Sequence, residues 1–262
     1  MDVEGLKNRR ARSFGATAAT YAEHRPDYPA DGIRWGLAAA AGEVSRVLDL
    51  AAGTGKLTGG LLALGLPVTA VEPDEEMLAQ LSARFPSVRA LSGTAEEIPL
   101  PPSSVDAVFV GQAFHWFDRD AALAEIARVL RPGGALAALW NAEDDSVDWV
   151  AGLVKVARSS MPQTWTNDWP TFDGTWFEEG EKEVFPHTQR RTADSLVATI
   201  GTQSHTLVVS DEERARLLGR IRDYLRSHPE TATGEFDAPL VTTVVRGRRS
   251  PDVPRTVGGP AR

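Results

Sequence analysis

Two acids and two glycines are the residues whose types and spacing point most directly to chemistry. Asp49 lies within an apolar run, Val47-Leu48-Asp49-Leu50, that reads as a short buried strand. Ala51-Ala52-Gly53-Thr54-Gly55-Lys56 then forms a small-residue turn into a helix. Gly53 and Gly55 tolerate backbone angles closed to other residues and let main chain approach a ligand closely. Open parallel sheets collect their ligands at the carboxyl ends of the strands, where Asp49 stands. Glu72 ends the next apolar run, Val68-Thr69-Ala70-Val71-Glu72, and an acid there accepts hydrogen bonds from ribose hydroxyls.

Such a turn is shared by several nucleotide sites. The phosphate-binding P-loop needs four residues between its first glycine and a Gly-Lys-Ser/Thr ending, whereas Gly55-Lys56 is followed by Leu57. The dinucleotide fingerprint needs a third glycine or alanine, and Thr58 occupies its place. Asp49 would also repel a pyrophosphate. A carboxylate in front of the turn suits a ligand that carries positive charge and no phosphate. S-adenosylmethionine (SAM), with an α-ammonium and a sulfonium, is such a ligand. Glu72 supports a ribose in either case; Asp49 discriminates.

The elements that must position these residues alternate. Between about 46 and 140, apolar strands alternate with segments of helical spacing, the pattern of βαβ units on a parallel sheet. Arg46–Leu50 precedes a helix bearing Leu57, Leu61, Leu62 and Leu64, closed by Gly65. Pro73-Asp74 caps a helix with Met77, Leu78, Leu81 and Phe85 at helical spacing. Val88–Leu91, Ser104–Val110 and Ala135–Trp140 read as further strands, and Arg131-Pro132-Gly133-Gly134 stops a helix over Arg119–Leu130. Beyond 145, helices are expected at Ser146–Ser160, Asp194–Ile200 and Asp211–Ser227, with strands at Glu183–Thr192 and Val241–Val245.

Composition narrows the setting. The chain has 262 residues, no cysteine and a net charge of -8. It is long enough for a sizeable core without staples, and disulfides, thiol nucleophiles and thiolate metal sites are excluded. The acidic balance disfavours nucleic acid and anionic membranes as partners. No bilayer-spanning run or secretory signal is legible, so a cytoplasmic location is expected. A monomer or homodimer is expected.

With these motifs in order, the chain resembles the class I SAM-dependent methyltransferases. Within them it is similar to the type 11 group, which includes trans-aconitate methyltransferase-like enzymes. Besides Val47–Gly55 and Val71-Glu72-Pro73, the matches are Gly93-Thr94-Ala95-Glu96-Glu97-Ile98-Pro99-Leu100, Gln112-Ala113-Phe114-His115-Trp116-Phe117 and Arg128–Gly134. The resemblance implies an α/β fold, a Rossmann-like seven-stranded sheet with helices on both faces and a small helical cap. It divides the chain into a helical arm or lid (1–30), a SAM-binding core (31–145), C-terminal strands with a substrate-facing cap (146–250) and a disordered tail (251–262).

The resemblance also implies a donor site. The backbone of Ala51, Gly53, Thr54 and Gly55 would pass under the methionine moiety, with Ala51 in place of a commoner glycine. Glu72 would bind the ribose beside Pro73, and Met77 would pack on the adenine. Thr94, Ala95 and Glu96 would meet the adenine edge, Thr94 standing where many relatives carry Asp. Gln112 would lie beside the methionine part. Tyr21 and Arg25 belong to the lid, where one or the other would hold the SAM carboxylate, while Tyr28 would line the acceptor site.

His115 is the candidate catalytic residue, as general base or hydrogen-bond orienter, with Trp116 as a pocket wall. A carboxylate acceptor, already ionised, would need no base. The aromatic stretch Trp165–Phe177 would either roof an apolar substrate or pack in the core or against another subunit. Asn141, Glu143, Asp144 and Asp145 are not expected to bind metal, and His24, His187, His205 and His228 read as ordinary histidines. The expected activity is transfer of a methyl group from SAM to a small-molecule acceptor, at oxygen. The alternatives are a nicotinamide-dependent oxidoreductase and a non-catalytic SAM or S-adenosylhomocysteine (SAH) binder.

Overall fold

The computed structural model describes residues 26–158, 172, 175–201, 206 and 209–251. Tyr21, Arg25, Trp165, Trp169, most of the expected arm and nearly all of the tail lie outside the described residues. In chain order the elements are α1 (Ala30–Leu37), β1 (Val47–Leu50), α2 (Lys56–Ala63), β2 (Val68–Glu72), α3 (Glu75–Arg84), β3 (Arg89–Ser92) and β4 (Val105–Gly111). There follow α4 (Arg119–Val129), β5 (Leu130–Glu143), α5 (Asp148–Ala157), β6 (Glu181–Thr192), α6 (Ala193–Gly201), α7 (Asp211–Ser227) and β7 (Glu235–Arg248).

The strands form one seven-stranded sheet in the order β3-β2-β1-β4-β5-β7-β6. The first five run parallel, whereas β7 lies antiparallel to both β5 and β6. Strand order reverses between β1 and β4. Crevices for ligands open at such a switch point, outside the carboxyl ends of the strands.

Why these strands sit in the middle follows from their side chains. Alternate strand residues face opposite sides of a sheet, and in β1 and β4 both sets are apolar apart from Asp49 and Asp106. Leu48, Leu50, Val108 and Val110 pack with α4 through Leu123 and Ile126. Val47, Ala107 and Phe109 pack on the other side with Ile33 of α1 and Leu57 and Leu61 of α2. A third apolar cluster joins α5, α6 and α7 to Phe236 and Ala238 of β7. Helix starts are fastened locally: Asp74 accepts from the Met77 amide at 2.9 Å, and Ser210 and Glu213 form a reciprocal capping box.

Among the described residues the expected elements are present, and the largest shifts of their ends fall in two strands. Strand β5 begins at Leu130, directly after α4, because Leu130 pairs with Val105 before Arg131-Pro132-Gly133-Gly134 bulges out and pairing resumes at Ala135. Asp106 holds that bulge through Arg131 Nη1 at 2.6 Å, while its other oxygen accepts from Ser45 and the Arg46 amide. Burial alone would raise the Asp106 carboxyl, but these donors hold it below its usual range. Strand β7 reaches from Glu235 to Arg248, well beyond Val241–Val245, because it pairs with all of β6.

Of the aromatic stretch, Phe172 and Phe177 are buried in the main core, with Trp176 packed against it. The Phe114 and Phe172 ring centroids are 5.3 Å apart. For these residues the core role holds, and the roof over a substrate does not. Among the described residues no helix is long and apolar enough to cross a membrane.

Candidate active site

Two open chambers lie side by side at the carboxyl ends of β1, β4 and β5. The first is lined by Asp49, Ala51–Thr54, Lys56, Gln112, Tyr28 and Asn141 among others. The second shares Pro26, Gln112 and Asn141 with the first and extends toward β6 and α6.

The turn after β1 is shaped by backbone conformation. Ala51, Gly53 and Gly55 all take left-handed angles, with φ of 55°, 57° and 84°. Only glycine adopts these without cost, so the alanine at 51 stores local strain. Gly53 is open, its missing Cβ having only the Met77 sulfur, at 3.8 Å, within 4 Å. Gly55 is needed for packing as well, since a Cβ there would fall 2.8 Å from the Phe85 ring. Gln112, just after β4, is also left-handed, at φ 58°. Its side-chain amide donates to the Asn141 carbonyl at 2.9 Å.

Asp49 is fully buried, and its Oδ2 accepts from the Thr58 hydroxyl at 2.5 Å. Its Oδ1 has no hydrogen-bond partner among the described residues, and neither has the buried hydroxyl of Thr54. Both residues line the first chamber. Burial raises the Asp49 carboxyl from 3.8 to about 7, against the Thr58 hydrogen bond and with help from the nearby Glu72 charge. Unmet polar atoms at this depth are costly, so the chamber suits a ligand that brings a cationic donor to Asp49.

Glu72 is buried beneath the turn. Its Oε2 accepts from the Gly53 amide at 2.8 Å and its Oε1 from the Asp74 amide at 3.0 Å. Burial raises its carboxyl, and the two amides pull it back. Each oxygen keeps a lone pair for a ribose hydroxyl. Met77 is buried beside Gly53, and Pro73 is exposed. Beyond β3, the Thr94 hydroxyl accepts from the Glu97 amide, Ala95 is buried in the core and Glu96 accepts from the Asp118 amide.

Tyr28 closes one side of the first chamber. Its hydroxyl lies 2.5 Å from where a Gly111 Cβ would stand, so the strand end has room for it only as glycine. Lys56 pairs with Asp27 at 3.2 Å, and Asn141 Nδ2 donates to the Pro26 and Asp27 carbonyls. The segment before α1 is thereby held across the mouth.

The acceptor carbonyls fix the orientation of Asn141 and leave its Oδ1 for Thr242. The Thr242 hydroxyl donates to that oxygen and meets His187 Nε2 at 2.9 Å. A hydroxyl has one proton, so His187 Nε2 is the donor to Thr242. His187 is half-buried, and burial lowers its pKa against the charge of Asp27. The sequence gives no sign of this role for His187, because its partners are distant in the chain.

His115 and Trp116 are not brought to this centre. They form a 3₁₀ turn with Phe114, their rings 4.7 Å apart, and His115 is exposed. Neither lines either chamber. Lys56, Asn141 and Arg191 line the chambers instead, and none of them is a site residue expected from the sequence.

A family model described as a methyltransferase domain matches residues 48–138, the segment that carries the turn, Glu72 and Gln112. An uncharacterized methyltransferase of Mycobacterium tuberculosis is 42% identical over 236 residues, covering 89% of this chain and 94% of its own. This chain belongs to the methyltransferase family. The methyltransferase fold is shared with a candidate type II methyltransferase from Anaeromyxobacter dehalogenans, whose solved structure is 28% identical with a TM-score of 0.64, over 86% of this chain and 97% of its own. A more partial relative is a malonyl-[acyl-carrier protein] O-methyltransferase of Methylococcus capsulatus, 43% identical over 100 residues, or 36% of each chain. The seven-stranded sheet with parallel β1 to β5 and antiparallel β7 is the class I methyltransferase architecture.

Proposed function

We propose that this methyltransferase uses SAM as methyl donor and delivers the methyl group to an oxygen of a small molecule. The buried, unpartnered Oδ1 of Asp49 beside the glycine turn carries the reading. That oxygen would accept from the α-ammonium of the methionine moiety. The Thr54 hydroxyl and the Lys56 ammonium, on the same wall, would hold its carboxylate. Glu72 would take the ribose hydroxyls, and Met77 would lie against the adenine. Bound SAM supplies a methyl group already activated on a sulfonium sulfur.

The protein's own contribution is alignment and exclusion of water. Tyr28, Gln112 and Asn141 would orient the acceptor oxygen, which forms the new C–O bond as the old C–S pair returns to sulfur. A carboxylate oxygen has no proton to lose in this step. A hydroxyl gives its proton to a base or to water. Oxygen as the target is supported by the O-methyltransferase among the relatives.

Calorimetry with SAM, SAH and NAD tests the donor. SAM and SAH should bind and NAD should not; the reverse would favour an oxidoreductase and overturn the reading. Turnover of methyl-labelled SAM against carboxylic acids, phenols and amines tests the acceptor. Label transferred to none of them would favour a non-catalytic binder.

A further inference from the structure

Strand β6 reads Glu-Lys-Glu-Val-Phe-Pro-His-Thr-Gln-Arg-Arg-Thr and looks like an unpatterned polar edge. In the structure it does alternate. Phe185, His187, Gln189 and Arg191 are on the covered face, and Pro186, Thr188, Arg190 and Thr192 are exposed. The covered face passes from apolar to polar along the strand. Phe185 packs against the core, His187 joins Thr242, and Gln189 and Arg191 line the second chamber. An edge strand buries such groups at a cost unless polar matter faces them.

Arg191 is the strongest of these groups. It is only 7% exposed, and its Nη2 donates to Gln189 Oε1 at 2.7 Å. Among the residues lining the second chamber it is the single base and Glu143 the single acid. Glu143 is more open to water than Arg191, which weakens its charge at the chamber wall by screening. Burial lowers the Arg191 pKa, and the charge of Asp27 opposes that shift. Leu196, Ala238 and Leu240 form an apolar wall of the same chamber.

We infer that the second chamber is the acceptor site, and that the acceptor carries a carboxylate bound by Arg191 with its carbon skeleton against Leu196 and Leu240. The guanidinium fork matches a carboxylate with two parallel hydrogen bonds. An acceptor so anchored points its far end at the wall of Gln112 and Asn141 shared with the donor chamber. This inference rests on the donor reading above for which chamber holds which ligand. It adds the charge and shape of the acceptor.

The test uses the full chain and simple probes: hexanoate and octanoate, each beside its uncharged amide, titrated calorimetrically into protein saturated with SAH. Wild type should bind the carboxylates at least about tenfold tighter than the amides. Arg191→Gln should lose most of that preference while its SAH affinity stays within about twofold. Equal binding of acid and amide, binding of neither, or an Arg191→Gln protein that keeps the preference would each overturn the inference. If Arg191→Gln melts early, Arg191→Lys retains the charge and should keep a weakened preference for acid; a folded Lys variant without it counts against the inference. Should SAH itself not bind wild type, the donor reading fails, while the acid–amide comparison on unloaded protein still reports on Arg191.

Discussion

The Gly53 amide donates to Glu72 Oε2 over 2.8 Å, tying the turn after β1 to the end of β2. Because Oε1 simultaneously accepts from the Asp74 amide, one carboxylate holds both the glycine turn and the start of α3. Glu72→Gln keeps the shape but can offer an oxygen to only one of these two amides. The other then faces an NH₂ group, at a cost of about 1–3 kcal/mol. A lower Tm together with at least about tenfold weaker SAH binding is expected; unchanged binding by calorimetry would detach Glu72 from the donor site.

Asp49 should make donor binding pH-dependent. Its folded carboxyl, at about 7 rather than 3.8, binds a proton that the unfolded chain has already released in this window. Stability from this group is therefore complete below about pH 4 and is lost as pH rises toward 7, on the order of 4 kcal/mol. Binding runs the other way. A cationic ligand needs the ionised carboxylate, so SAM affinity should fall by up to about tenfold per pH unit below 7. Calorimetry near pH 6 in buffers of different ionisation enthalpy should show proton release on binding, and Asp49→Asn should abolish both effects.

Gly111→Ala places a Cβ 2.5 Å from the Tyr28 hydroxyl and 3.0 Å from its ring carbon, a contact real structures do not tolerate. Tyr28 must move off the chamber. The variant should fold, with a stability loss of about 1–3 kcal/mol from overpacking, and its SAH affinity should drop. Adding Tyr28→Ala should recover stability by removing the clash but not affinity. A double mutant that behaves as the sum of two independent losses would show the contact to be unimportant.

Thr242→Val should loosen the mouth of the site. The change is nearly isosteric but strips a buried hydroxyl from between Asn141 and His187. Two polar atoms lose a partner, at about 1–3 kcal/mol. Because Asn141 also holds the Pro26 and Asp27 carbonyls, amide exchange over 27–33 should quicken in the variant. Exchange confined to β7 instead would show that Thr242 supports only the sheet.

Much of the fold was legible because its strongest signals are local. Buried parallel strands such as Val105–Gly111 are apolar on both faces save for Asp106, and caps such as Asp74 and Ser210 act within a few residues. The extents of β5 and β7 were less legible. A bulge absorbs Arg131–Gly134 inside β5, and half of β7 is defined by pairing with a polar edge strand. The left-handed Ala51 and Gln112 were also hidden, since neither residue type advertises that conformation.

The candidate site divides in the same way. Asp49, Gly53, Thr54 and Glu72 follow one another around a single βαβ unit, so their order and residue types mark a candidate nucleotide-like site in the sequence itself. His115 was singled out by position after β4, yet the 3₁₀ turn leaves it exposed beside Trp116. Asn141, His187, Arg191 and Thr242 come from three separate strands and become neighbours only when β7 inserts antiparallel between β5 and β6. The amino-acid sequence by itself determined the sheet's centre and the donor-side turn, because helix and strand periodicity and glycine geometry are local properties. The second chamber and the Asn141–Thr242–His187 chain beside it were decided only by tertiary structure, because residues 55 and 101 positions apart acquire their burial, charge environment and hydrogen-bond partners from pairing that no local pattern encodes.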